Sequence, residues 1–132
     1  MSEKESSSDP EHDNVMLWLA HFMTSEYGYK ITHMAHSDQA YHWSTIVNGY
    51  IPDIIGRKIE DGIVKYAVGE AGSFEGLVSK SAIDKINAFK SCNSQFEFFF
   101  GVPSRCLSKA KVLFINILFG ENEPDHLCYF DV

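Results

Sequence analysis

The chain has 132 residues, of which 45% are hydrophobic and 14% aromatic, and a formal net charge of −7. That length carries one domain with a single core, and the composition excludes an intrinsically disordered chain. No apolar run reaches the ~18 residues of a membrane span, and the acidic balance weighs against non-specific nucleic-acid binding, which calls for a basic face.

Residues 1–9 read as a disordered, Ser-rich acidic tail without the apolar centre of a signal peptide. The domain occupies 10–132. Asp9-Pro10-Glu11 is a helix start, with an Asp cap, Pro at the first helical position and an acid in the first turn. Val15, Trp18, Leu19, Phe22 and Met23 then recur as one apolar helical face, and Tyr27-Gly28-Tyr29 closes it with a left-handed glycine. "YKITHMA" has the aromatic and β-branched content of a strand. "HSDQAYHWST" reads as a loop or irregular edge strand, and a strand–turn–strand unit follows over 50–73. Ser79 caps a predicted helix through about Cys92, with Ala82, Ile83, Ile86 and Phe89 inside. "QFEFFFGV" is a buried strand, "RCLSKAKVLFINILF" a helix launched by Pro103-Ser104 and closed by Gly120, and "HLCYFDV" a last strand. The order α, β, β, β, α, β, α, β gives an α/β fold, a mixed central β-sheet flanked by helices.

The hairpin raises a chemical question. Asp61-Gly62 is a strong signal for a two-residue type I′ turn, which needs positive φ at both positions. With that turn Glu60 faces Ile63, and a regular ladder sets Asp53 directly opposite Glu70. Their β-carbons are then roughly 4.5–5.5 Å apart on one face. Facing like charges destabilise a sheet, whereas a hard divalent cation such as Mg²⁺ is bound by one or two carboxylates with waters and phosphate oxygens. The competing expectation is a slipped register, or one solvent-exposed acid at a strand end.

Pro52-Asp53, the hairpin, and "YAVGEAG" ending on Glu70 resemble the PD-(D/E)XK nuclease superfamily, the restriction endonuclease-like fold. The element order resembles that family's αβββαβ core over roughly residues 10–132. The resemblance implies a metal-dependent nuclease hydrolysing phosphodiester bonds of DNA or RNA, with Asp53 and Glu70 holding Mg²⁺ or Mn²⁺. It also implies an assisting acid on the leading helix, for which Glu11 and Glu26 are both candidates. The family's lysine belongs two residues after Glu70, where this chain has Gly72. Three expectations follow: a lysine of the next helix takes over, Lys80 ahead of Lys85; Ser73 orients water in a weak enzyme; or the site is degenerate and the fold is a catalytically inactive binding or assembly module. A homodimer or a protein partner would enlarge so small a nucleic-acid-facing surface.

Other residues have plainer readings. His33, His36 and His42 cluster around the loop before the hairpin and are either within reach of the carboxylate end of the sheet, in a metal role, or polar loop residues; they match no helical metal-ligand spacing, which favours the second. Trp43, Tyr41 and Tyr50 either stack a base or a partner or cover the sheet edge. Arg105, Lys109 and Lys111, with Lys80, Lys85 and Lys90, form either a phosphate-facing strip or the solvated sides of two helices. Three cysteines without a C-x-x-C pattern fit reduced thiols in a cytoplasmic protein. No phosphate-binding P-loop, nucleophile elbow or dinucleotide glycine fingerprint is present.

Overall fold

The computed structural model of the chain describes residues 10–35, 49–72, 80–90, 96–112 and 125–132. In chain order these form α1 (Pro10–Tyr27), β1 (Lys30–Met34), β2 (Ile54–Glu60), β3 (Ile63–Ala71), α2 (Lys80–Lys90), β4 (Glu97–Pro103), a 3-10 turn (Ser104–Cys106) running into α3 (Leu107–Val112), and β5 (His126–Phe130). The predicted tail, the loop with His36, Tyr41, His42 and Trp43, Ser73, and the third helix beyond Val112 lie outside the described residues. No described helix is long and apolar enough to cross a membrane.

The five strands make one mixed sheet in the order β1-β2-β3-β4-β5. The first three run antiparallel, while β3, β4 and β5 run parallel. Parallel neighbours need a crossover, and α2 and α3 lie within the two connections. Alternation along β4 assigns the faces. Phe98, Phe100 and Val102 pack with Ile86 and Phe89 of α2 and with Cys106 and Ala110. Phe99 points the other way, among Val15, Leu19 and Met23 of α1. The phenylalanine run is therefore core on both sides, as a strand covered on two faces requires. Each such ring contributes about 1.5–3 kcal/mol by leaving water. Cys106 and Cys128 are buried and free.

The hairpin has the register its turn demands. Pairing runs without a break from Glu60↔Ile63 to Ile54↔Gly69, and Asp61 and Gly62 both have positive φ, 54° and 78°. Only α1 is rotated from expectation. Its buried stripe is Val15, Met16, Leu19, Ala20 and Met23, and Trp18 is exposed, edge-on to His21. Two glycines let this helix lie against the strand backbones. A methyl at Gly69 would come within 3.0 Å of Met23 Sδ, and one at Gly101 within 3.3 Å of Val15 and Leu19.

The far end of α1 is tied down by a chain of polar rings. Tyr27 contacts His126 Nδ1 at 3.2 Å, His126 Nε2 pairs with Glu97, and the Tyr29 hydroxyl donates to the same carboxylate at 2.6 Å. The Lys58 ammonium donates to the Tyr27 carbonyl at 2.8 Å, a cation at the helix C-terminus.

Candidate metal centre

Asp53 is the residue before β2, and Glu70 is the penultimate residue of β3. They continue the hairpin ladder by one position, beyond Ile54↔Gly69, and each carboxylate holds the opposite strand. The Asp53 N–H donates to Glu70 Oε1 at 3.1 Å, and the Ala71 N–H donates to Asp53 Oδ2 at 3.0 Å. Both acids are buried, 6% and 8% exposed. His33 shores up the same corner: its Nε2–H donates to the Pro52 carbonyl at 3.1 Å, and burial lowers its pKa, keeping the ring neutral. His33 is thus a wall of the site rather than a loop residue.

Two cations reach the pair from opposite layers. From α2, Lys85 Nζ lies 2.9 Å from Glu70 Oε2 and 3.9 Å from Asp53 Oδ1. From the first turn of α1, His12 Nε2 lies 3.1 Å from Asp53 Oδ2, and its Nδ1 side faces Asp13 at 3.7 Å. Asp53 Oδ1 and Glu70 Oε2 therefore both face the Lys85 ammonium, which marks where positive charge is favoured.

Lys85 is the lysine the described residues bring to the carboxylates. Lys80 is the first residue of α2, and its side chain lies outside the described residues. Of the two acids considered on the leading helix, Glu11 pairs with Arg105 and Glu26 is exposed near the other end of α1. The α1 residue touching Asp53 is His12, which neither the hairpin spacing nor the family resemblance singles out. A histidine three and seven residues before Val15 and Leu19 shares their buried stripe, and that was its only sequence signal.

The electrostatics follow from burial. Loss of water alone would raise the Asp53 carboxyl, but the hydrogen bond and charge of His12, with Lys85 and the Ala71 N–H, outweigh it and hold the group low. Burial and then the Asp53 charge push Glu70 up to about 8, against the pull of Lys85. Burial would lower Lys85, yet Glu70 and Asp53 overcome it and raise the ammonium's pKa. The hydrogen bond to Asp53 raises His12 to about 9 against burial, helped by the charges of Asp53, Glu70 and Asp13.

These shifts have a consequence for stability without metal. His12 titrates near 6.5 when unfolded and about 9 when folded, so its stabilisation is complete below pH 6.5 and lost as pH rises through 9. Glu70, raised from 4.5 to about 8, acts with the same sign between those values. Chemical denaturation is expected to show a stability falling from pH 6 to pH 9.5, with His12 accounting for roughly 3 kcal/mol. His12→Gln should flatten that portion, and an unchanged slope in the variant would assign the loss elsewhere.

The residues fit a hard divalent ion by donor chemistry. Two buried carboxylates are what Mg²⁺ takes from a protein when waters and phosphate oxygens complete its octahedron. Among the described residues, no group of three or more His, Cys, Asp or Glu side chains is placed to hold a metal ion. No family model, curated protein or solved structure matches this chain.

Proposed function

We propose that this chain is a metal-dependent nuclease-like domain of the PD-(D/E)XK type, acting on phosphodiester bonds of nucleic acid. The observation that carries the reading is the convergence of Asp53 Oδ1 and Glu70 Oε2 on the Lys85 ammonium, at 3.9 and 2.9 Å. Two acids buried side by side at the end of a hairpin are held there by two cations and two backbone N–H groups, and an αβββαβ order with the carboxylates at that hairpin resembles the restriction endonuclease-like arrangement. The lysine absent at Gly72 is supplied by α2, which crosses the same face.

Bound Mg²⁺ or Mn²⁺ would supply Lewis-acid activation of the phosphate and of water. Asp53 and Glu70 would hold it through Oδ1 and Oε2. With an ion at that position, the Lys85 ammonium would no longer be held by the acids and would face the phosphate, where its charge would offset the charge that develops during displacement. His33, bonded to the Pro52 carbonyl, keeps the Asp53 backbone in place.

The test is cleavage of single- and double-stranded DNA and RNA by the full chain, with Mg²⁺ or Mn²⁺ and with chelator, beside Asp53→Asn. Metal-dependent cleavage that disappears in the variant is expected, together with stabilisation of the wild-type fold by the ion. Metal binding without cleavage of any substrate would make the chain an inactive binding module. Cleavage surviving Asp53→Asn would place the activity elsewhere.

A further inference from the structure

The two oxygens of Asp53 are used differently. Oδ2 accepts the Ala71 N–H at 3.0 Å and faces His12 Nε2 at 3.1 Å, while Oδ1 is turned to Lys85. We propose that His12 is a positioning residue of the metal centre, gripping Oδ2 so that Oδ1 is presented beside Glu70 Oε2. This rests on the nuclease reading and adds to it a residue from a different layer of the fold.

His12 is placed to orient a ligand rather than to be one. Its Nε2–H points at Asp53 and its Nδ1 side faces Asp13, so neither nitrogen presents a lone pair to the ion. The ring is itself held. It sits on the helix stripe that buries Val15, Met16 and Leu19, and the preceding Glu11 is paired with Arg105. A carboxylate gripped by one oxygen has already lost the rotation that ion binding would otherwise have to freeze, which is how outer-shell partners strengthen a metal site.

Charge alone predicts the opposite effect. Removing a cation beside a metal-binding carboxylate should tighten divalent-ion binding, whereas removing a positioning donor should weaken it. Mn²⁺ is the probe, with free ion followed by electron paramagnetic resonance at pH 7 on the full chain. His12→Ala is expected to weaken Mn²⁺ binding about 10–100-fold, and His12→Gln, which keeps an N–H donor, to recover most of that loss. His12→Leu fills the ring's volume without a donor and should behave as His12→Ala, covering the case in which the smaller side chain impairs folding. Melting curves without Mn²⁺ establish that each variant is folded.

Binding by His12→Ala or His12→Leu as tight as wild type, or tighter, overturns the positioning role and leaves the nuclease reading standing. Equal loss in His12→Gln and His12→Leu also overturns it, because the donor would then not be what matters. No Mn²⁺ binding by the wild type, or undiminished binding by Asp53→Asn, removes the metal centre and this inference with it.

Discussion

Lys85→Met is expected to slow metal-dependent phosphodiester cleavage by about 100–1,000-fold, the order of loss when one group that stabilises transition-state charge is removed. The same variant should bind Mn²⁺ at least as tightly as wild type, since the ammonium stands 2.9 Å from Glu70 Oε2 and competes with the ion. Its fold should suffer little below pH 7. Glu70, already raised to about 8, keeps its proton when the ammonium goes, and a buried group that can neutralise itself escapes the penalty of an unpaired charge. Single-turnover cleavage with saturating Mn²⁺ separates these effects. An activity within a few-fold of wild type would mean that Lys85 only neutralises the acids at rest. Weaker Mn²⁺ binding would show that it organises the carboxylates instead of yielding to the ion.

Phe99→Ala should be among the most destabilising single substitutions, by about 3–5 kcal/mol. The ring is fully buried on the α1 face and is the hub of an aromatic cluster. It stacks on His126 at 4.4 Å and meets Tyr27, Tyr29 and Phe22 edge-on at 5.1, 6.0 and 6.4 Å. Alanine would leave a cavity bounded by rings that are themselves tied into the Tyr27–His126–Glu97–Tyr29 chain, so collapse into the space is restricted. Against a typical total of about 5–15 kcal/mol, the loss should lower the denaturant midpoint markedly without changing the slope. A cost below about 1 kcal/mol would mean that the cluster rearranges freely. The Asp53–Glu70 pair lies at the other end of α1, so any Mn²⁺ binding there should persist in the folded fraction.

How far the fold is legible in the sequence differs from element to element, for physical reasons. The hairpin can be read residue by residue because Asp61-Gly62 admits one turn geometry, and strand alternation carries its register to Asp53 and Glu70. Phe96 to Phe100 declare a buried strand but not which ring faces which layer, because that depends on helices distant in sequence. The two cations of the site were harder to see. Lys85 stands four residues before Phe89 and one before Ile86, within the apolar stripe of α2, and its ammonium lies 5.9 Å from the Phe89 ring. A lysine interrupting an inward stripe signals a buried acid across the interface, a stronger cue than nearness in sequence to Gly72. His12 left the same kind of trace on α1. Trp18 weighs heavily in any apolar count and shifts the expected phase of that helix, yet its ring rests on the outer surface beside His21.

The bare backbone beneath α1 turns that helix into a depth gauge. Because Gly69 and Gly101 carry no side chains, Met23, Val15 and Leu19 settle directly onto their backbone, and the height of the helix above the sheet depends on those contacts together with Phe99 packed among the same residues. One added carbon at Gly101, pressing on Val15 and Leu19, would act as a wedge under a lever whose tip is the His12 imidazole. Tuning of the centre can thus arise two turns away, at a residue with no chemistry of its own.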